Sequence, residues 1–293
     1  MTENSRTTGI VWLASYPRSG NTWTRHFLHN LFAVMDHQRD KPHDINGLGE
    51  YTLWDIAAQR FEKAAGKPVA GMTRAEIAAV RASVQRRIAD EASGPVFVKT
   101  HNALVMDRGH ATISMAATSG AIYIVRNPLD VAISFAAHFG IGLDDAIERM
   151  GRTGLETEVG EHVVHEVYGS WSENVASWTR KPHRAILVVR YEDLLAKPLE
   201  TFARLANHLL LSPSPDQLAE AIALSSFEKL QEQERTRGYV ERPKTSKAFF
   251  REGRAAQWRT VLDAAQIDRV AHLHREQMAR FGYLPDGNAN NGQ

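Results

Sequence analysis

A chain of 293 residues, 43% hydrophobic and 24% charged, can bury roughly 75% of the surface its unfolded form exposes, so it needs no covalent staple. It has no cysteine, which excludes a thiolate nucleophile, a disulfide and a Cys-ligated zinc; the composition also excludes collagen-like, disordered and disulfide-scaffold classes. Lys plus Arg (35) against Asp plus Glu (34) leaves a net charge of +1, which argues against bulk capture of nucleic acid or membrane but not against a local basic pocket.

The start of the chain is polar and carries no apolar leader core, and no run of about 18 apolar residues occurs that could span a bilayer. The expectation is a cytoplasmic protein with no nucleic-acid or membrane partner.

Residues 9–15 (GIVWLAS) form the first apolar run without polar alternation, followed by 95–99, 121–126 and 185–190. Such runs suit a parallel sheet covered on both faces. Residues 21–35 carry Trp23, Phe27, Leu28, Leu31 and Met35 on one helical face. Further helices are expected over 74–91, from Asn127-Pro128 onward, and over 161–178, 199–210 and 264–281. Asn127 and Pro128 are a cap and a first-turn residue. The alternation predicts an α/β fold. Residues 212–215 (SPSP) are expected to be a loop, and 1–8 and 286–293 disordered tails. The stretches 36–92 and 138–165 show no strand character and are expected to form lids or substrate-facing insertions.

The strongest local signal is Ser15-Tyr16-Pro17-Arg18-Ser19-Gly20-Asn21-Thr22-Trp23, between a buried strand and an amphipathic helix. A loop there points main-chain N–H groups and a helix N-terminus at an anion. Gly20 permits close approach; Ser19, Asn21 and Thr22 offer short donors and Arg18 a fixed charge. A nucleoside-triphosphate loop would need Gly, four residues, then Gly-Lys-Ser/Thr. Here the first Gly and the Lys are both missing. An ordinary capped strand-to-helix turn is the competing reading.

This loop resembles the first cofactor motif, Y-P-K-S-G-T-T-W, of the sulfotransferases that use 3′-phosphoadenosine 5′-phosphosulfate (PAPS), especially their small-molecule type. Arg126-Asn127-Pro128-Leu129-Asp130-Val131-Ala132-Ile133-Ser134 resembles the second motif, R-N-x-x-D-V-x-x-S. Lys99-Thr100-His101 is similar to the K-T-H that carries the family's base. Tyr191-Glu192-Asp193, Ser225-Ser226-Phe227 and Phe250-Arg251-Glu252-Gly253 with Trp258 resemble three further segments, in family order.

The resemblance implies a P-loop NTPase-like sulfotransferase fold, a central parallel sheet with helices on both faces, as one domain over 1–293. It implies PAPS as co-substrate, no metal, and a small-molecule acceptor. His101, Lys99 and Arg18 would be catalytic, His101 as base because an ordinary imidazole titrates near 6.5. Arg18, Ser19, Gly20, Asn21, Thr22 and Trp23 would hold the 5′ end of the cofactor. Arg126, Ser134, Arg251 and Gly253 would hold its 3′-phosphate, and Trp23, Tyr191, Ser225 and Phe227 would lie around adenine. Taken alone, Arg126 could equally be a surface ion pair, and Phe227 plain core.

From Arg235 to Arg254 seven basic residues stand against two acidic ones. Such a run is ordinarily a solvated loop; the resemblance makes it a cover for the cofactor. Arg18 and Glu252 stand where the family has Lys. The family's dimerisation motif is not evident after Trp258, so a homodimer stays open.

His162 with His165, and His272 with His274, lack metal-site spacing and read as solvated helical residues. Glu192-Asp193 and Asp144-Asp145 read as helix-start or loop carboxylates. Trp54, His138, Phe139 and the Trp171 region are candidates for the acceptor site. Two other functions compete: an ATP-dependent phosphotransferase, and a non-catalytic nucleotide-binding module.

Overall fold

The computed structural model describes residues 9–36, 44–243, 245–246 and 248–285. The two expected tails, and Lys244 and Lys247 of the basic run, lie outside the described residues. In chain order the elements are β1 (Ile10–Ser15), α1 (Asn21–Met35), β2 (Thr52–Trp54), α2 (Ala58–Ala65), α3 (Arg74–Asp90), β3 (Val96–Thr100), β4 (Met106–Asp107), β5 (His110–Ala111) and β6 (Thr118–Val125). There follow α4 (Pro128–Phe139), α5 (Leu143–Gly151), α6 (Trp171–Thr179), β7 (Ile186–Arg190), α7 (Tyr191–Ala196), α8 (Pro198–His208), α9 (Pro215–Leu224), α10 (Phe227–Arg237), α11 (Trp258–Val261) and α12 (Ala264–Phe281).

Five strands make one sheet in the order β2-β3-β1-β6-β7. β1 pairs with β3 in parallel, Leu13 opposite Lys99 and Ala14 opposite Thr100; β2 pairs with β3 in parallel, Trp54 opposite Lys99. Every residue of β1 is buried, as are the last six of β6, so these strands read as unbroken apolar runs in the sequence.

The chain divides into two compact units. The first comprises 1–16, 52–123 and 153–188; the second comprises 17–51, 124–152 and 189–293. In the first, α2 packs on α3, and Trp12 donates from its indole N–H to Thr118 Oγ1 at 2.8 Å. In the second, α1 packs on α9, α8 on α7 and α9, and α12 on α4 and α5.

Several expectations hold closely. α1 and α12 have the expected bounds. Asn127 caps α4, its Oδ1 accepting from Leu129 N at 3.0 Å, with Pro128 in the first turn. Glu192-Asp193 and Asp144-Asp145 lie in the first turns of α7 and α5.

Others need correction. The helix expected over 161–178 is only α6. Positive φ at Gly169 and the bridges Ala57–Val163 and Glu156–Val167 hold 161–168 extended, and Ser170 then starts the helix with a capping box to Glu173. The stretch 36–92 contains a strand, β2, too short at three residues for a period to show. Pro215 belongs to a helix, not a loop, because Ser214 caps α9 with Gln217. His165 is not solvated: it is fully buried, its Nε2 2.7 Å from Asp107 Oδ2. His274 is buried at a kink in α12. Among the described residues, no helix is long and apolar enough to cross a membrane.

Candidate active site

In the second unit the loop entering α1 gives Arg18 a φ of 68° and Gly20 one of 104°. An alanine at position 20 would put its Cβ 2.6 Å from Tyr191 Cδ2. Gly20→Ala is therefore expected to destabilise the fold by about 1–3 kcal/mol, read as a fall of several degrees in Tm. α1 has no side-chain cap and no acidic residue in its first turn, which leaves its leading N–H groups to an anion. Ser19 beside them is fully buried, and its Oγ has no hydrogen-bond partner.

Three guanidinium groups serve this loop. Arg18 donates from Nε to Ser134 Oγ (3.0 Å), from Nη1 to His138 Nδ1 (3.2 Å) and from Nη2 to the Phe249 carbonyl (3.3 Å), and stacks on the Phe249 ring at 4.6 Å. Arg126 donates from Nη1 to the Arg18 carbonyl (3.0 Å) and from Nη2 to the Arg254 carbonyl (3.4 Å), over the Tyr191 ring at 4.3 Å. Its Nε is buried without a partner. Arg251 reaches the Ile133 carbonyl at 3.4 Å. All these acceptors are uncharged. Burial, then the charges of Arg126 and Arg251, lower the Arg18 pKa to about 10. Concentrated positive charge with neutral partners is a site for an anion.

The C-terminal segment is tied to α4. Asp130 is buried and accepts from Ala256 N (2.7 Å) and Trp258 N (3.0 Å), which links the second motif to the last one. Gly253 has φ 58°, and a Cβ there would stand 2.3 Å from the Phe227 ring. Trp23 meets Tyr191 edge-on at 5.8 Å and donates from its indole to the Ser225 carbonyl at 2.9 Å. Ser225 itself turns inward: fully buried, its Oγ accepts from Asn30 and donates to the Ala221 carbonyl. Asn21 is buried at the start of α1, with Thr22 beside it half-buried. Glu252, in place of the family's lysine, pairs with Arg254.

In the first unit, Lys99 near the end of β3 holds its Nζ 4.6 Å over the Trp54 ring. His101 follows β3 directly. Its Nδ1 lies 2.8 Å from the Ser15 carbonyl. A carbonyl only accepts, so Nδ1 carries the hydrogen and Nε2 is the basic nitrogen. The His101 N–H donates to Glu166 Oε1 at 2.8 Å, and its carbonyl accepts from Asn174 Nδ2 at 3.0 Å. Tyr168 lies edge-on to the ring at 6.1 Å.

Behind His101 is a buried charged cluster that sequence reasoning missed. Asp55 Oδ2 accepts from Thr100 Oγ1 (2.9 Å) and Asn102 Nδ2 (3.0 Å), and buried Arg81 donates to the His165 carbonyl (2.7 Å). Burial raises the Asp55 pKa against the pull of Arg81, and burial with the Asp55 charge pushes Glu166 up to about 7. Of the residues expected near an acceptor, Trp54 is covered by Lys99, and His138 is engaged by Arg18. Phe139 packs on Phe135 at 4.4 Å. Trp171 is fully buried and serves the core. Among the described residues, no group of three or more His, Asp or Glu side chains is placed to hold a metal ion.

The profile of the family described as sulfotransferase domain matches residues 9–282. Mouse (Mus musculus) sulfotransferase 2A2 is 26% identical over 167 residues, 55% of this chain and 57% of the relative. The match thus spans little more than half that relative's length. Dog (Canis lupus familiaris) sulfotransferase 1B1 is 24% identical over 287 residues, 94% of this chain and 85% of the relative. Among solved structures, retinol dehydratase in complex with androsterone and the inactive cofactor PAP superposes with a TM-score of 0.61 at 20% identity, covering 92% of this chain and 80% of that one. Mouse sulfotransferase SULT7A1 complexed with PAP gives 0.59 at 18%, covering 92% and 85%. These similarities show the fold, a central parallel sheet flanked by helices.

Proposed function

This chain belongs to the sulfotransferase domain family, and from that premise we propose that it moves a sulfuryl group from PAPS to a hydroxyl or amine of a small-molecule acceptor, releasing adenosine 3′,5′-bisphosphate. The observation that carries the proposal is the trio Arg18, Arg126 and Arg251. Their hydrogen-bond acceptors are neutral, and a buried Arg126 Nε and Ser19 Oγ are left unpartnered. A ligand with phosphate at both ends would satisfy them, and both solved relatives are described with PAP bound.

When bound, PAPS supplies the sulfuryl group and a phosphate as leaving group. Ser19, Asn21, Thr22 and the N–H groups entering α1 hold the 5′ end. Arg126, Ser134, Arg251 and the Gly253 main chain hold the 3′-phosphate, while Trp23, Tyr191 and Phe227 pack the adenine. His101 takes the acceptor proton on Nε2, because Nδ1 is already committed to Ser15. Lys99 and Arg18 are the cations proposed to offset negative charge that develops during transfer. The proposal is of one sulfotransferase domain in the cytoplasm, with ultracentrifugation to decide between monomer and homodimer.

Adenosine 3′,5′-bisphosphate at a hundredfold excess over its Kd is expected to stabilise the fold by about 2.7 kcal/mol, raising Tm, with little effect from ATP–Mg²⁺. Incubation with PAPS and a panel of phenols, alcohols and amines should give products heavier by one sulfonate. Stabilisation by ATP–Mg²⁺ alone, with no sulfonated product, overturns the reading.

A further inference from the structure

We propose that Glu166 is a positioning residue for His101, its buried carboxylate holding the main chain of the base in the orientation that proton transfer needs. The inference rests on the reading of His101 as the proton acceptor in sulfuryl transfer. β3 ends at Thr100, so the N–H of His101 falls just beyond the strand. Glu166, 5% exposed, supplies the missing acceptor at 2.8 Å from 65 positions away. Asn174, fully buried, takes the carbonyl of the same residue, and Ser15 takes its ring.

His101 is thereby fixed at its N–H, its carbonyl and Nδ1, which together set the direction of Nε2. Around the Glu166 carboxylate stand Asp55 after β2, Arg81 from α3, Lys99 and His101 from the end of β3, and Tyr168 from its own segment. Burial and Asp55 oppose its ionisation; the His101 N–H, Lys99 and Arg81 favour it. The balance sets its pKa at about 7.

An ionised carboxylate is a stronger acceptor than a protonated one, so the hold on His101 tightens as pH rises through neutrality. The stability term runs the other way. The folded protein binds this proton more tightly than the unfolded chain, whose Glu titrates at its ordinary 4.5. The contribution is complete below that value and is lost as pH rises through about 7.

The test uses the purified chain with PAPS and 2-naphthol as probe acceptor, bisphosphate binding by calorimetry, and exchange of the His101 amide by NMR. Glu166→Ala is expected to lower kcat by about 10–100-fold, as for a misplaced catalytic group, with the KM for PAPS and the bisphosphate Kd held within about twofold. Its His101 amide should exchange about tenfold faster or more, having lost its partner. Glu166→Gln keeps an acceptor oxygen. It should recover kcat to within about fivefold of wild type, while its kcat–pH profile loses the ionisation near 7.

Unchanged amide exchange in Glu166→Ala overturns the proposal, as does a Glu166→Gln variant no better than alanine, or a loss of bisphosphate affinity in step with kcat. If the alanine variant does not fold, the pH profile and amide exchange of Glu166→Gln decide. An unmodified chain that transfers nothing from PAPS to 2-naphthol or the wider panel counts against the sulfotransferase reading instead. The amide measurement then still decides whether Glu166 holds His101.

Discussion

His101→Ala is expected to lower kcat by about 10²–10⁴-fold, the range for losing a general base, with the bisphosphate Kd unchanged. The two readouts separate because the groups are built separately. His101 directly follows β3 and is held by Ser15, Glu166 and Asn174, all in the first unit. The proposed bisphosphate ligands, from Arg18 to Gly253, all belong to the second. Single-turnover rates with PAPS, alongside calorimetry with the bisphosphate, measure both effects in one preparation. A variant retaining more than a third of the wild-type rate would remove His101 from the chemistry.

Arg126→Ala carries the second large effect. Arg126 is 7% exposed, its two Nη atoms are used by main-chain carbonyls, and its Nε has no partner. Truncating one partner of a buried, hydrogen-bonded charge pair costs about 2–5 kcal/mol, so bisphosphate affinity should fall by about 1.5 to 3.5 orders of magnitude. Arg126→Lys keeps the charge but loses the fork and the stacking on Tyr191, so it should recover only part of the loss. Binding by calorimetry decides. Affinity within threefold of wild type in Arg126→Ala would place the 3′-phosphate elsewhere. Loss of the Nη1 bond to the Arg18 carbonyl also loosens the phosphate loop, so the 5′ end should weaken with the 3′ end.

Much of the second unit's chemistry was legible because it lies in contiguous motifs. The residues 16–23, the cap at Asn127 and the Phe250–Gly253 segment each follow from neighbours a few positions apart. The link between them was not legible: Asp130 gathers Ala256 and Trp258 from 126 and 128 positions away. Nor was the bond from Asn30 to the Ser225 hydroxyl legible, since it spans 195 positions.

The apolar runs alternating with helical periods predicted the α/β fold, and the loop between a buried strand and a helix pointed to an anion site; the base in K-T-H is what the family resemblance implies. The first two depend on local spacing, which a single chain displays openly. The tertiary structure alone decided that Trp54 stands opposite Lys99, that His165 is buried on Asp107, and that Glu166 and Asn174 hold His101. Each depends on strand register or on a contact between residues about 45–75 positions apart. Helical and strand periods carry no record of such contacts.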